Sequence, residues 1–272
     1  MPSLRSVATL AVCAGGIYAS YLTQGVMQEA LAIKRFGPDG ERFTGLKALN
    51  GIQSVACFLW AALLLVTVAR PVKGARLPPV TAYWKAGVTN SIGPALGIEA
   101  LKNISYPAQV LAKSCKMIPV MVMGTLIGGT FYSALEYACA LAIAAGISLF
   151  ARQSSSKVTA KLAAPNASLG YGLCLVNLVF DGYTNAAQDE IFKRYSDTSA
   201  LWTMCWMNFW CGAYNLAFLF GVTSSGWQLA AFCRRYPEAA WDVALFCLCG
   251  AVGQLFIFAT IRRFGSLANT LV

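Results

Sequence analysis

The chain has 272 residues, of which 57% are apolar and only 12% are charged, and its mean hydropathy is +0.58. A water-soluble domain could not bury this much apolar surface, so the composition excludes a soluble globular protein and indicates a polytopic membrane protein. The formal net charge is +10. Because the lysines and arginines are scattered between apolar runs, they are interpreted as residues that flank membrane spans, and no nucleic-acid partner is expected.

The apolar runs predict about eight complete membrane spans and the start of a ninth, in an all-α polytopic membrane protein. The first span is too long to be a signal peptide, and it lacks the small residues of a cleavage site at its end. The ninth begins after Gly265, and the chain ends at Val272. The eight spans run, approximately, from Leu4 to Glu29, Leu49 to Ala69, Val80 to Leu101, Tyr106 to Gly129, Leu135 to Ala151, Leu169 to Ala187, Leu201 to Val222 and Trp241 to Ile261.

The fourth span is unusual because it carries two lysines. Tyr106, Gln109, Lys113 and Lys116 follow one another at i, i+3, i+7 and i+10, which places them on one stripe of a regular helix. A lysine in the middle of a span costs about 2.5–3.5 kcal/mol on insertion scales, so a pair of lysines requires a function. The stripe therefore predicts an anionic ligand, while the alternative is that the lysines reach an interface with their charged ends.

Other spans also contain polar residues at membrane depth. Asn90 lies in a polar stretch of the third span, close to a Gly-Pro break, Asp181 lies inside the sixth span, and Asn208 lies among aromatic residues of the seventh. Such residues are tolerated where helices line a cavity, and packing of helices through small residues is the alternative. Asp181, Asn90 and Asn208 are therefore candidates for gating or structural roles.

The remaining chemistry of the chain argues against catalysis. There is no histidine, and the ten cysteines are dispersed without the spacing of a zinc site. They are interpreted as small packing residues. No enzymatic activity, metal or cofactor is expected.

An internal repeat is suggested by residues that recur at an offset of 160. Gln28 and Glu29 match Gln188 and Asp189, and Gly93 matches Gly253. Identities this sparse are also compatible with chance. With the spacing of the spans, they predict inverted five-helix halves with a binding site between them. The expected division is a first repeat over 1–151, a linker loop over 152–168 and an incomplete second repeat over 169–272.

Several segments of the chain resemble the nucleotide-sugar transporters of the drug/metabolite transporter superfamily, in particular the branch of UDP-galactose and UDP-glucose transporters of the endoplasmic reticulum and Golgi. The block with the core Ser-Cys-Lys-x-Ile-Pro-Val is the most specific of them. The segments are Gly25 to Glu29, Tyr106 to Met121, Asp181-Gly182 with Gln188-Asp189, Arg235 to Pro237 and Gly253 to Phe258.

The resemblance implies the drug/metabolite transporter fold with ten spans, both termini in the cytosol, and exchange of a nucleotide sugar for a nucleoside monophosphate. It implies that Lys113 and Lys116 neutralise the ligand phosphates and that Tyr106 stacks against or hydrogen-bonds the ligand. The residues that would contact the base, the sugar or the gates are Gln28, Glu29, Gln188, Asp189 and Gln254. Two sequons, at Asn103 and Asn166, fall in loops on one predicted side and also favour a cytosolic N-terminus.

The chain departs from the family pattern at its C-terminus. The offset of the repeat would place the counterparts of Lys113 and Lys116 just beyond Val272. The family's Thr-Thr-Arg-Lys-type stretch and its tenth span are not present in this sequence. The chain is therefore expected to be a truncated form. Exchange of ATP for ADP, and an inactive form that acts only as a membrane interaction partner, are the alternatives; the nucleotide, the sugar, the compartment and homo-oligomerisation are left open.

Overall fold

The computed structural model describes residues 4–38, 40–43, 45–70, 74–100, 103–104, 109, 112–113, 115–127, 129–159 and 166–271. Helices make up most of this part of the chain: α1 Leu4–Ile33, α2 Leu49–Thr67, α3 Trp84–Ala100, α4 Met117–Leu126, α5 Ala134–Thr159, α6 Ala167–Arg194, α7 Ala200–Leu216, α8 Ser225–Arg235 and α9 Pro237–Leu271. Short 3-10 helices precede α2 and α3, at Gly45–Ala48 and Val80–Tyr83, and a π-helical turn, Ala217–Val222, follows α7. Two short strands, β1 Arg35–Phe36 and β2 Glu41–Arg42, pair antiparallel between α1 and α2.

Several of these helices are suited to a bilayer. Helices α1, α2 and α9 are each long and apolar enough to cross one, and α7 with its π-helical turn meets the same criterion together with α8, from which it is bent by 89°. Shorter apolar helices lie at Met117–Leu126 and Ala134–Gly146. The prediction of an all-α membrane protein is confirmed in this coarse form. The number of spans and the inverted repeat stay predictions.

Some predicted boundaries are wrong. The linker loop predicted over 152–168 does not begin at Arg152, because α5 continues to Thr159. Helix α5 starts with a reciprocal cap, in which Glu136 accepts a hydrogen bond from the Ser133 backbone N–H at 2.7 Å and Ser133 Oγ accepts one from the Glu136 N–H at 3.3 Å. The Gly-Pro sequence noted in the third span lies inside α3, which continues past Pro94. A single proline removes only one hydrogen bond of the helix interior.

The chain divides into two compact units, which are described separately. The first contains residues 1–87 and 197–263, and the second contains residues 88–196 and 264–272. Each unit takes segments from both halves of the sequence, so its boundaries differ from those of the predicted repeats. The division into repeats over 1–151 and 169–272 stays a prediction.

In the first unit, the hairpin is held by aromatic side chains at one end of the helices. The ring of Phe232 on α8 makes edge-on contacts with Phe36 and Phe43, with ring centroids 5.5 and 5.4 Å apart. All three side chains are buried, and such pairs contribute about 0.5–1.5 kcal/mol beyond the burial of their area. The cluster fixes the hairpin against α8.

Ion pairs border the same aromatic cluster. Lys34 Nζ lies 2.7 Å from Asp242 Oδ2, and Arg235 Nη1 lies 2.9 Å from Glu41 Oε1. The hydrogen bond to Asp242 raises the pKa of Lys34 above its ordinary value of 10.5. The described residues of the hairpin between α1 and α2 are therefore held by both aromatic contacts and ion pairs.

In the second unit, α6 packs closely against α3 and α4. Thr89 on α3 and Thr184 on α6 are hydrogen-bonded through their hydroxyls at 2.7 Å. Gly182 lies directly against the backbone of α4, since a Cβ at this position would be 2.8 Å from the Pro119 carbonyl oxygen. Only a glycine allows the two helices to come this close.

Many hydroxyl and amide side chains bond to the carbonyl four residues earlier in their own helix. Thr23 donates to the Ala19 carbonyl at 2.7 Å, Thr260 donates to the Phe256 carbonyl at 2.8 Å, and Asn215 donates to the Cys211 carbonyl at 2.9 Å. This pattern gives the polar group a hydrogen-bond acceptor within its own helix.

Candidate substrate-binding site

The lysine segment precedes α4 instead of lying inside a long regular helix. Lys113 is exposed and helical, whereas Lys116 is half-buried in a turn just before Met117, where α4 begins. The Lys116 N–H donates to the Lys113 carbonyl at 3.1 Å, which is an i to i+3 bond. The predicted stripe assumed an unbroken helix, so its spacing is wrong at this turn, because i to i+3 bonding winds the chain more tightly. Tyr106, also assigned to this stripe, lies outside the described residues.

Gln109 connects this segment to α3. Its side chain is 4% exposed, and its Nε2 donates a hydrogen bond to the Gly97 carbonyl. A Cβ placed on Gly97 would lie 3.3 Å from Gln109 Nε2 and 3.4 Å from Lys113 Nζ. The amide of Gln109 and the ammonium of Lys113 therefore meet at the same point of α3.

Helix α6 supplies two further polar side chains to this place. Asn177 is 1% exposed, and its Nδ2 would lie 3.0 Å from a Cβ on Gly97. Asp181 follows one turn later on α6, and its Oδ1 would lie 3.4 Å from a Cβ placed on Gly93. Asp181 is also within electrostatic reach of Lys116 and Lys113. We call Gln109, Lys113, Lys116, Asn177 and Asp181, together with the glycines of α3 that they face, the polar cluster.

The polar cluster combines positive charge and amide donors with one nearby carboxylate. Asn177 Nδ2 is buried without a hydrogen-bond partner in the part of the chain that the structure describes. An unsatisfied buried donor costs about 1–3 kcal/mol, so a bound acceptor at this amide would be stabilised by it. The arrangement can bind an anion that also accepts hydrogen bonds.

Gln188 and Asp189, near the end of α6, have a different environment from that of the polar cluster. Asp189 accepts hydrogen bonds from Ser266, from its N–H at 3.0 Å and from its hydroxyl. Gly265, with φ of 84°, breaks α9 immediately before Ser266, so Asp189 caps the helix that restarts there. Gln188 is buried, and its Oε1 has no partner among the described residues. Asp189 thus has a structural partner, and Gln188 retains a free acceptor.

The other predicted site residues lie elsewhere. Gln28 and Glu29 are exposed near the end of α1 in the first unit. In the same unit, Asn208 Nδ2 donates to Gln254 Oε1 at 2.6 Å and also to the Met204 carbonyl. Asn90 is half-buried on α3 in the second unit.

The structure therefore brings together Gln109, Lys113, Lys116 and Asp181 of the predicted residues, and sequence reasoning missed Asn177. A signal for Asn177 was present: it precedes Asp181 by four residues, which places both on one face of the helix. Sequence reasoning also missed buried Gln24, whose amide crowds Gly250 of α9 together with that of Gln53. Within the described residues, no group of three or more His, Cys, Asp or Glu side chains could hold a metal ion.

Comparison with known proteins identifies the class to which this chain belongs. The sequence matches the UAA transporter family over residues 9–272. The chain belongs to this family. Its members and the relatives below are named as transporters, so the predictions of a nucleotide-sugar transporter family and of a non-enzymatic protein are confirmed.

Three relatives cover nearly the whole chain. The chain is 54% identical over 271 residues to UDP-galactose/UDP-glucose transporter 3 of Arabidopsis thaliana, spanning 99% of this chain and 81% of that one. It is 34% identical over 277 residues to UDP-galactose transporter homolog 1 of Yarrowia lipolytica, and the alignment covers 97% of this chain and 75% of that one. It is 35% identical over 271 residues to adenosine 3'-phospho 5'-phosphosulfate transporter 1 of Homo sapiens, and the alignment covers 97% of this chain and 60% of that one. These relatives are named for different nucleotides, and all of those nucleotides carry phosphate.

Proposed function

We propose that this protein carries a nucleotide sugar, UDP-galactose or UDP-glucose, into the lumen of the endoplasmic reticulum or Golgi in exchange for UMP. The observation that carries the proposal is the polar cluster, in which Lys113 and Lys116 stand beside Gln109 and the unpartnered amide of Asn177. The 54% identity to a relative named for both sugars supports the choice of substrate. A cytosolic N-terminus is part of this proposal.

The mechanism follows from the charges of the cluster. The two lysines neutralise the phosphates of the ligand, for which an ammonium group is suited because it acts as a point charge. In the absence of ligand, Asp181 partly balances the lysines, since its carboxylate is within electrostatic reach of each of them. A ligand phosphate then replaces a carboxylate as the counter-ion. Exchange of one phosphorylated ligand for another keeps the lysines neutralised throughout the cycle, which favours antiport over one-way transport.

A second candidate is an adenosine nucleotide. The 35% identity to a transporter of adenosine 3'-phospho 5'-phosphosulfate favours it. The polar cluster recognises phosphate and would accept either class, so the base must be selected by other residues. Gln28, Glu29, Gln188 and Gln254 stay candidates for contacts to the base, the sugar or the gates.

Exchange in proteoliposomes tests the proposal. The purified 272-residue chain is reconstituted with UMP inside, and labelled UDP-galactose, UDP-glucose, ATP and adenosine 3'-phospho 5'-phosphosulfate are offered outside in separate arms. Ligand-dependent rises in melting temperature report binding independently of transport. We expect UMP-dependent uptake and stabilisation by the two UDP-sugars. If only the adenosine nucleotides are taken up, the proposed substrate is wrong and an adenosine nucleotide takes its place. If no nucleotide is taken up and none raises the melting temperature, the proposed function is refuted.

Two lysine variants test the role of the cluster. Lys113→Ala and Lys116→Ala should each weaken UDP-galactose binding roughly 10- to 100-fold, because each removes a hydrogen bond to a charged group. Lys85→Ala is the matched control, since Lys85 is an exposed lysine at the start of α3 beside Trp84. The role of the two lysines would be contradicted if transport fell only in proportion to the amount of protein expressed, or if Lys85→Ala lost as much binding as the two variants.

A further inference from the structure

We infer that the first unit binds an anionic phospholipid, with the headgroup phosphate at Arg70 and one acyl chain in a groove between α2 and α7. The inference goes beyond the proposed function, because residues of the first unit form the groove and the polar cluster belongs to the second. It holds whichever nucleotide is transported.

The groove is an apolar cavity of about 560 Å³. Helix α2 lines one side, and Trp202, Cys205 and Trp206 of α7 line the other. The two indoles pack edge to face with ring centroids 5.6 Å apart, and the ring of Phe58 on α2 lies 6.4 Å from that of Trp206. Cavities of about 300–1,000 Å³ with aromatic and aliphatic walls are typical of sites for small molecules.

The groove has the depth of one leaflet of a bilayer. On α2 it is lined from Phe58 to Val66, a stretch of helix that rises about 12 Å, compared with about 15 Å for half of the hydrocarbon core. Arg70 follows the end of α2, and Trp202 lies in the first turn of α7. The groove therefore opens at the end of the unit where these two residues lie, and an acyl chain that enters there fits within its length.

Arg70 places a positive charge where the groove opens. Its side chain is exposed and lines the groove, and its Nε donates to the Val66 carbonyl at 2.8 Å. Within the described residues this is the one hydrogen bond of Arg70, so its Nη groups can bind an anion. A guanidinium is suited to phosphate, because it can donate two parallel hydrogen bonds to it. A phospholipid supplies both the phosphate for Arg70 and the hydrocarbon for the groove.

Further arginines lie at the same end of the first unit. Arg262 Nε donates to the Thr198 carbonyl at 2.9 Å, and the Arg76 N–H donates to the Asp197 carboxylate at 3.1 Å. Both contacts join these arginines to the residues just before α7. Asp197 is an acidic residue of this end, and Arg70, Arg76 and Arg262 outnumber it.

The two ends of the first unit differ in charge. Arg263 Nη1 lies 3.5 Å from Thr9 Oγ1, so the basic end also contains the first turns of α1. At the hairpin end, by contrast, Lys34 and Arg235 are each paired with a carboxylate. An excess of basic residues beside the start of α1 agrees with the proposed cytosolic N-terminus, and the cytosolic leaflet is the one that carries anionic lipids. The basic end therefore favours a lipid with net negative charge over a zwitterionic one.

Quenching of tryptophan fluorescence by brominated acyl chains tests the site. The full chain is placed in phosphatidylcholine nanodiscs that contain an equal, low fraction of either brominated phosphatidylserine or brominated phosphatidylcholine. Bromine quenches an indole only at short range, and Trp202 and Trp206 line the groove. We expect stronger quenching by the phosphatidylserine. Equal quenching by the two lipids would refute a site for an anionic headgroup.

A charge variant tests the role of Arg70. Arg70→Gln should weaken the apparent affinity for phosphatidylserine about fivefold, which is the contribution of one basic residue near a membrane surface. Arg234→Gln is the matched control, since Arg234 is an exposed arginine of the same unit that lies beside Arg235 at the hairpin end. If both variants lose affinity equally, the effect comes from net charge and the assignment of Arg70 is wrong.

A variant that fills the groove tests the position of the acyl chain. Ala62→Phe adds a ring inside the groove and should abolish the excess quenching by phosphatidylserine. Leu63→Phe is the control, because Leu63 is the next residue of α2, is 53% exposed and is not one of the residues that line the groove. Excess quenching that survives Ala62→Phe would overturn the inference. Arg70→Gln changes an exposed side chain, so it tests the site even if Ala62→Phe is unstable.

A second copy of this chain is the alternative occupant of the groove. The mass of the particle in detergent decides between the two. If the unchanged chain is a dimer that Ala62→Phe converts to a monomer, and phosphatidylserine quenches no more than phosphatidylcholine, a second copy fills the groove and the lipid inference is refuted. Nucleotide uptake enters neither measurement, so this failure would leave the proposed function unchanged.

Discussion

Replacement of Gly182 by alanine tests how closely α4 and α6 pack. The added Cβ would lie 2.8 Å from the Pro119 carbonyl oxygen, 2.9 Å from the Pro119 carbonyl carbon and 3.2 Å from the Val120 nitrogen. All three neighbours are backbone atoms, so no change of rotamer can relieve the contact and α4 must move as a whole. Overpacking of this kind costs about 1–3 kcal/mol.

The same helix provides the reference for this substitution. Gly172 also lies in α6, but a Cβ there would meet nothing within 4 Å. Alanine is better than glycine in a helix interior by about 0.5–1 kcal/mol, and both variants receive this contribution. Their difference therefore isolates the cost of the contact, and Gly182→Ala should be about 1–3 kcal/mol less stable than Gly172→Ala.

Melting temperatures measure this difference. For a chain of this size, each kcal/mol corresponds to about 2–4 °C, so Gly182→Ala should melt about 2–12 °C below Gly172→Ala in the same detergent or nanodisc. Tryptophan fluorescence provides the signal. Equal melting temperatures for the two variants would refute the close contact between α4 and α6.

Two further predictions concern the first unit. Asn208→Ala leaves Gln254 Oε1 without its donor at 2.6 Å and should destabilise the protein by about 1–3 kcal/mol, whereas the double variant Asn208→Leu with Gln254→Leu should be less destabilised than the single one, as chemical or thermal unfolding will reveal. Asp242→Asn removes the partner that raises the pKa of Lys34, and the variant should melt lower at pH 7, by the equivalent of less than about 1 kcal/mol for an exposed pair. The stabilisation by this ion pair is full at neutral pH and is lost as the pH rises through the raised pKa of Lys34. The difference between the variant and the unchanged chain should therefore vanish well above pH 10.5, and it should decrease in 1 M salt. A difference that persists unchanged in strong alkali would contradict this role of the ion pair.

The long apolar helices could be predicted from the sequence. The first span was predicted from Leu4 to Glu29 and α1 covers Leu4–Ile33, and the second was predicted from Leu49 to Ala69 and α2 covers Leu49–Thr67. Continuous apolar runs determine such helices, because every backbone group must be satisfied within the span. Hydropathy does not detect α8, which lies between the predicted seventh and eighth spans, because this helix is amphipathic and ends in Arg234 and Arg235.

The candidate site could be predicted only in part. A lysine is conspicuous in an apolar run, so Lys113 and Lys116 were found from the sequence. Asn177 was not found, because its significance depends on Gly97 of another helix, and no local pattern reports which glycine faces which amide. Asp189 was predicted to contact the ligand or a gate, yet its hydrogen bonds to Ser266 depend on the break at Gly265 and could not be read from its own neighbours.

The hydroxyls that bond within their own helix have a consequence for the transport cycle that we propose. Because Thr23 and Thr260 each donate to a carbonyl on the same element, the hydrogen bond travels with the helix when the helix moves. Such a face can be turned from protein toward lipid or water without leaving a polar atom unsatisfied. Rearrangement of these helices therefore does not need to break those bonds, whereas a hydrogen bond that joins two separate helices, such as the one between Thr89 on α3 and Thr184 on α6, would break if those two helices moved apart.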